Sequence, residues 1–220
     1  MGFNGLKPED LNQAPIFARP RLTIGLPWRT ALTLAYLPPI RVFGVKPHLF
    51  AFALERPLYE RGPWTLGLRL YGQVGQLKGA FTCPKDVAKF PPSTPQNPFG
   101  CNKKSHDSVT QQYGGVEFSG SYRFEHYVPG LTPYIAVAGN FLDNKMQVKA
   151  RTFGNRDRNR LFAQTWTFSA TAGVIYPLTD RIFLNMSLFY TPLWIRRPPA
   201  TDSENGALFN IRAGISYRWG

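Results

Sequence analysis

One feature limits this chain more than any other. Apolar side chains alternate with small or polar ones at every second residue, in segment after segment. Period two marks a β-strand whose two faces meet different surroundings. In 64–75, Trp64, Leu66, Leu68, Leu70, Gly72 and Val74 share one face, and Thr65, Gly67, Arg69, Tyr71, Gln73 and Gly75 share the other. The same alternation runs through 115–125, 165–176, 182–191 and 209–219, and more weakly through 30–37, 48–55 and 131–142. No segment repeats at the helical period. The expectation is an all-β chain of eight strands in an up-and-down antiparallel meander. Short connections such as PLTD (177–180) alternate with long ones (84–109, 143–160, 193–206), which puts the long loops at one end. An alternative makes residues 21–26 a strand of their own, turning at Leu26–Arg29 into 30–37, and gives ten or more strands.

Alternation alone does not tell which face points inward. A soluble barrel buries its apolar face, whereas a membrane barrel exposes it to lipid. The apolar faces hold no Asp, Glu, Lys or Arg, while the opposite faces carry Glu55, Arg69, Glu117, Arg123, Glu125, Arg212 and Arg218. Those opposite faces are otherwise mostly Gly, Ala, Ser and Thr, a composition that suits a narrow lumen with paired charges. Aromatic residues gather toward strand ends on the apolar face: Tyr36, Trp64, Tyr122, Trp166, Tyr176, Tyr190 and Trp219. Amphipathic rings at both ends of an apolar band are the pattern of membrane-interface girdles. The competing reading is the aromatic core of a soluble sandwich. Composition narrows the field further. Aromatics at 15% and charged residues at 18% argue against disorder, and two cysteines argue against a disulfide-dense scaffold. No run of about 18 apolar residues offers a helical span.

The segments YPLTDRIFLNMSLFY (176–190), TPYIAVAGNF (132–141) and FNIRAGISYRW (209–219) resemble small bacterial outer-membrane β-barrels: the OmpA transmembrane domain and the OmpW and opacity-type proteins. The resemblance extends over roughly residues 20–220 and implies a transmembrane barrel in the bacterial outer membrane. Residues 1–19 are expected to be an N-terminal periplasmic segment. The closing strand is similar to the C-terminal signal read by the barrel-assembly machinery. That signal usually ends on an aromatic residue, and here Gly220 follows Trp219. The N-terminus has no basic start leading into an apolar core, so no secretory signal is read there.

The formal net charge is +13, for which nucleic acid is the reflex explanation. Its distribution points elsewhere. The expected outer loops hold fourteen Lys and Arg against six Asp and Glu, most of the surplus. The densest stretch, 145–160, carries Lys145, Lys149, Arg151, Arg156, Arg158 and Arg160 with only Phe153 as a stacking ring, too few aromatics for a nucleic-acid platform. A basic rim beside an aromatic girdle would face anionic lipid headgroups, notably lipopolysaccharide phosphates. Cys83 and Cys101 bracket a Pro-rich segment whose sole nearby zinc-type ligand is His106, so a loop-closing disulfide is expected.

No cofactor, metal or catalytic residue is expected. Among outer-membrane barrels, lipid A deacylases resemble a Phe-x-His-x-Ser motif. This chain offers Phe124 and His126 but has Val128 in place of the serine. The charged lumen set has two readings: paired charges that plug the barrel, which eight strands favour, or an anion-selective constriction. The expected role is therefore non-enzymatic: an envelope-structural or surface-interaction barrel, possible contacts with other envelope proteins included. A narrow channel for small or anionic solutes is the alternative, and a lipid A-modifying enzyme the remote one.

Overall fold

The computed structural model describes residues 20–41, 44–126, 128–192, 194–196, 203–205 and 207–219. The fold is all-β. Its strands are β1 (Arg21–Leu26), β2 (Thr30–Leu37), β3 (Lys46–Arg61), β4 (Trp64–Gly79), β5 (Cys101–Lys103), β6 (Asp107–Tyr122), β7 (Thr132–Thr152), β8 (Asn155–Pro177), β9 (Ile182–Thr191), β10 (Trp194–Arg196), β11 (Ser203–Asn205) and β12 (Leu208–Tyr217). A single 3-10 turn, Val87–Lys89, is the only helical element among the described residues.

One antiparallel sheet dominates, in the order β1-β2-β3-β4-β6-β7-β8-β9-β12, and curls into a half-barrel. The short β5 adds to β7, and β10 pairs with β11 apart from the main sheet. The meander thus has nine strands among the described residues, not the eight of the main expectation. Residues 21–26 form their own strand, with Arg21 opposite Ala35 and Leu26 opposite Thr30, as the alternative required. The connecting turn holds Trp28 and Arg29 at φ of 60° and 58°. This left-handed backbone is uncommon for side chains of that size, which is why the turn does not advertise itself in sequence. An ion pair between Arg29 and Glu60 ties it to the neighbouring β3.

The expected strands grow at their outer ends. The stretch read as a 143–160 loop is a continuous hairpin: β7 and β8 stay paired from Thr132–Ile175 to Thr152–Asn155, around Phe153 and Gly154. Those two residues have φ of 48° and 81°, the positive pair that a two-residue hairpin turn demands. Along β7 the convex positions turn polar there and the apolar ones, Met146, Val148 and Ala150, fall on the concave side, so a reading that follows one apolar face stops too early.

The extra strand changes the chain's direction at its start. Tyr36 donates its N–H to the Pro20 carbonyl, so the described chain begins at the long-loop end. It ends at the short-turn end, where Tyr217 pairs with Ile182. Strands β1 and β12, the two edges, therefore run in the same direction and make no pair with each other among the described residues. The expected periplasmic segment, 1–19, lies outside the described residues.

Glycines on the concave face permit close packing between strands. A Cβ on Gly75 would run into the His48 carbonyl oxygen and lie 2.7 Å from Leu49 Cα, both rigid backbone atoms. A Cβ on Gly139, on the opposite face, would meet nothing within 4 Å. Gly75→Val is therefore expected to destabilise the fold by about 3 kcal/mol or more. Gly139→Val should stay within about 1 kcal/mol of wild type, since valine favours strands. Urea unfolding followed by far-UV circular dichroism checks both, and equal losses would refute the face assignment.

Candidate functional site

The sheet is inside-out. Its concave face buries small side chains: Ala35, Ala51, Ala53, Ala136, Ala138, Thr33 and Ser169 are all buried. The convex face exposes large apolar ones, with Trp166 75%, Ile211 78% and Phe168 68% exposed. Phe50, Phe52, Leu66, Leu70, Val116, Phe118, Ile135 and Val137 join them. The register places these side by side across strands: Phe52 opposite Gly72, Leu68 opposite Phe118, and Phe118 opposite Val137. The result is an apolar band, interrupted at Arg56 opposite Leu68, that is far larger than soluble monomers ordinarily leave open.

The expected girdle residues border this band. Trp64, Tyr176 and Trp219 lie at the short-turn end; Trp64 packs on Tyr122 with ring centres 4.8 Å apart. Tyr36, Trp166 and Tyr190 lie toward the long-loop end, packed respectively on His48, Phe141 and Phe209. Beyond the upper border the same convex face turns polar and basic. Along β7, Ile135, Val137, Gly139 and Phe141 give way to Asp143, Lys145, Gln147 and Lys149. All six expected rim residues stand on the β7–β8 hairpin, and on the convex parity. Lys149 opposes Arg158, Arg151 opposes Arg156, and Arg160 opposes Gln147. Lys145 pairs with Asp143 at 3.2 Å.

The concave face unites part of the expected charge network. Glu55, Arg69 and Glu117 fall on one row of three strands, with Arg69 Nε 3.1 Å from Glu55 and Nη1 3.4 Å from Glu117. The other four residues form no ion pair with them. Arg123 and Glu125 lie beyond β6, whose last rung is Trp64–Tyr122, so they belong to the short connection and not to the lumen. Arg212 lies 4.1 Å over the Phe189 ring, and Arg218, past the end of β12, lies 4.7 Å over Phe183. These two guanidinium groups therefore find aromatic faces.

Uncharged residues complete the concave face, and sequence reading missed them. Tyr71 and Tyr113 both donate their hydroxyls to Asn140 Oδ1, the second at 2.9 Å. Asn140 Nδ2 donates to Ser169 Oγ at 3.1 Å. Gln73 donates to Gln111 at 3.1 Å and Tyr134 to Asn185 at 3.1 Å. The one available signal was Asn140 as the lone amide in the small-residue face of TPYIAVAGNF.

Above the sheet, a disulfide of S–S 2.04 Å joins Cys83 and Cys101, as expected. The two cysteines, with Val148 and Ala150 from the concave side of β7, make a small core on which Val87, Ala88, Phe99 and Met146 pack. Asp107 pins this loop. Its carboxylate accepts from the backbone N–H of Thr82 (2.7 Å) and Lys149 (2.9 Å) and from Ser105 Oγ (2.6 Å). Burial works to raise the Asp107 pKa, but these hydrogen bonds outweigh it and hold the carboxyl below its ordinary value. Among the described residues, no three His, Cys, Asp or Glu side chains gather as a metal site.

No protein-family model matches this chain, and no curated protein does.

Two outcomes follow from this geometry. Asn140→Leu leaves two tyrosine hydroxyls and Ser169 without their partner, and should cost about 2 kcal/mol in denaturant unfolding. A neutral result would mean that the network is not a structural tie. Asp107 contributes stability that is complete above its ordinary pKa of 3.8 and lost as pH falls below that toward its depressed folded value. Pepsin should cut the 84–100 loop of the wild type progressively faster as pH falls from about 4.5 to about 2, against an unfolded-substrate control. Asp107→Asn should be cut at its higher rate throughout; a parallel pH profile in both proteins would refute the assignment.

Proposed function

We propose that this chain is a non-enzymatic outer-membrane β-barrel with an envelope-structural or surface-interaction role. One observation carries the reading: the inverted burial. The exposed face is the apolar one, interrupted within the band by Arg56 opposite Leu68, and the buried face is made of small and polar residues. In water that arrangement would leave the apolar band unprotected, whereas in lipid it is the stable one. Strands of 16, 16, 16, 21 and 23 residues (β3, β4, β6, β7 and β8) exceed the 9–11 that a tilted strand needs to cross the hydrocarbon. Rings at both borders and a basic hairpin beyond one of them are the remaining supports. The resemblance to small outer-membrane barrels agrees with this reading, and so does a disulfide on the long-loop side, since the cell exterior is oxidising.

In this reading the half-barrel closes in the membrane. Lipid tolerates no open edge, because unpaired N–H and C=O groups there have no water to bond. Both edges run in the same direction, so antiparallel closure takes one further strand of opposite direction between them. That gives ten, the even number usual for bacterial barrels. The Arg69 ion pairs and the Asn140 network lie across the concave face and act as a plug, so the barrel carries loops outward and does not conduct.

Heat-modifiable migration tests the membrane reading. An unboiled sample folded in detergent should run at a different position from the boiled one. Val137→Arg, in the middle of the band, should cost about 2–4 kcal/mol in folding from detergent or lipid. A chain that is soluble and monomeric without detergent overturns the reading. Steady anion-selective steps in a planar bilayer would replace the plug with a channel.

A further inference from the structure

A second basic cluster, separate from most of the hairpin rim, stands on the convex face just above the apolar band. Lys46 on β3 is directly opposite Lys78 on β4. Lys78 is in turn opposite Ser108, and Ser108 opposite Gln147, two residues before Lys149 on the same face. Like charges on directly opposed strand residues have their Cβ atoms only about 5 Å apart and destabilise the pair. The loops add three more basic groups. Arg41, Lys104 and His106 line the same pocket of about 400 Å³ as Lys46, Lys78 and Lys149.

No carboxylate among the described residues forms an ion pair with them. Among the described residues, none of Arg41, Lys46, Lys78, Lys104 and Lys149 has a carboxylate within ion-pair distance. Asp107 also lines the pocket, yet its oxygens are committed to Thr82, Ser105 and Lys149 main chain or hydroxyl groups. The strap that carries Lys104 and His106 is rigidly held. Ser105 N–H donates to the Cys83 carbonyl, the Cys83 N–H donates to Ser105 Oγ, and His106 N–H donates to the Lys149 carbonyl. Five cations are thus gathered on a fixed frame with a like-charge pair at its base.

We propose that this pocket is a binding site for a multiply charged phosphate group, a phosphomonoester or pyrophosphate, held between Lys46 and Lys78 with Lys104, Lys149 and Arg41 around it. A group with two negative charges relieves the Lys46–Lys78 repulsion, and the ammonium groups supply its hydrogen bonds. Its place just above the apolar band fits the headgroup of a lipid. That source rests on the membrane reading, while a free phosphate-bearing solute does not.

The test uses the full chain folded in maltoside detergent, which has no phosphate of its own. Inorganic pyrophosphate is titrated calorimetrically at constant ionic strength. In parallel, mixed micelles with phosphatidic acid or with phosphatidylcholine are passed with the protein through gel filtration. Wild type is expected to bind pyrophosphate, to retain phosphatidic acid preferentially, or both. The Lys46→Gln/Lys78→Gln variant should bind about tenfold or more weakly, and Lys89→Gln, outside the pocket, as wild type. Pyrophosphate binding alone assigns a free solute, and does so even if the membrane reading fails. Phosphatidic acid retention alone assigns a lipid headgroup. Binding of neither probe, or equal weakening by Lys89→Gln, overturns the site. A second readout separates ligand binding from simple damage. Without anion at low ionic strength, Lys78→Gln should melt higher than wild type because it removes the repulsion; a lower melting temperature counts against the proposal.

Discussion

The continuous antiparallel ladder from β1 to β12 is the constraint on which everything else depends. It pairs the backbone of most of the described chain strand to strand, so side chains are free to be sorted by face alone. Because the pleat has a period of two, the ladder commits each residue to one side, and a slip of one residue would exchange the faces. The register avoids that exchange over long distances. From Ala31 through Glu55, Arg69, Glu117 and Ala138 to Ser169, a single row crosses six strands without leaving the concave face. Arg69 meets its two glutamates because of this register, not because any of the three is near the others in sequence.

The face sorting explains why the concave side holds small residues. Strands that curl bring their inner side chains together, and Ala51, Ala53, Ala136 and Ala138 fit where Leu or Phe would not. Small side chains leave polar gaps, and Tyr71, Tyr113 and Asn140 reach across them. Their hydroxyl and amide groups find one another, so these three side chains are partnered without water. The large apolar residues are left for the convex side, where nothing among the described residues covers them.

Much of this was legible in the sequence, and the misses have physical causes. The strand Ile182–Thr191 was readable because a large apolar residue recurs at every second position from Ile182 to Tyr190. The outer halves of β6, β7 and β8 were not, because the convex face turns polar there, and in β7 the apolar residues Met146, Val148 and Ala150 change to the concave side, while the ladder continues. Residues 21–26 were ambiguous for a different reason. Their turn uses Trp28 and Arg29 in a backbone conformation that glycine or asparagine would have signalled. The seven-residue lumen set failed where it depended on strand ends: alternation continues on paper through Arg123 and Glu125, but pairing stops at Tyr122. The basic residues of the hairpin were identified by charge density alone. The pairing of Lys46 with Lys78, 32 positions apart, was invisible until the register was known.

The vertical order along the convex face joins these points. Each long strand runs from an aromatic border through an apolar stretch to a polar or basic end, and the neighbouring strands change character close to the same rows. Phe52, Gly72, Gly114, Phe141 and Trp166 form a row of the band, and four rungs above it His48, Gln76, Thr110, Lys145 and Phe162 form a row that is mostly polar. No single strand needs such a boundary in order to fold, since a ladder is indifferent to where hydrophobicity ends. A boundary shared by five strands is a property of the surroundings that the surface meets. The disulfide and Asp107 hold the loop over the concave side, out of the way of this boundary, and keep Lys104 beside it. The loop, the band and the basic belt are therefore parts of one surface, ordered by distance from the apolar layer.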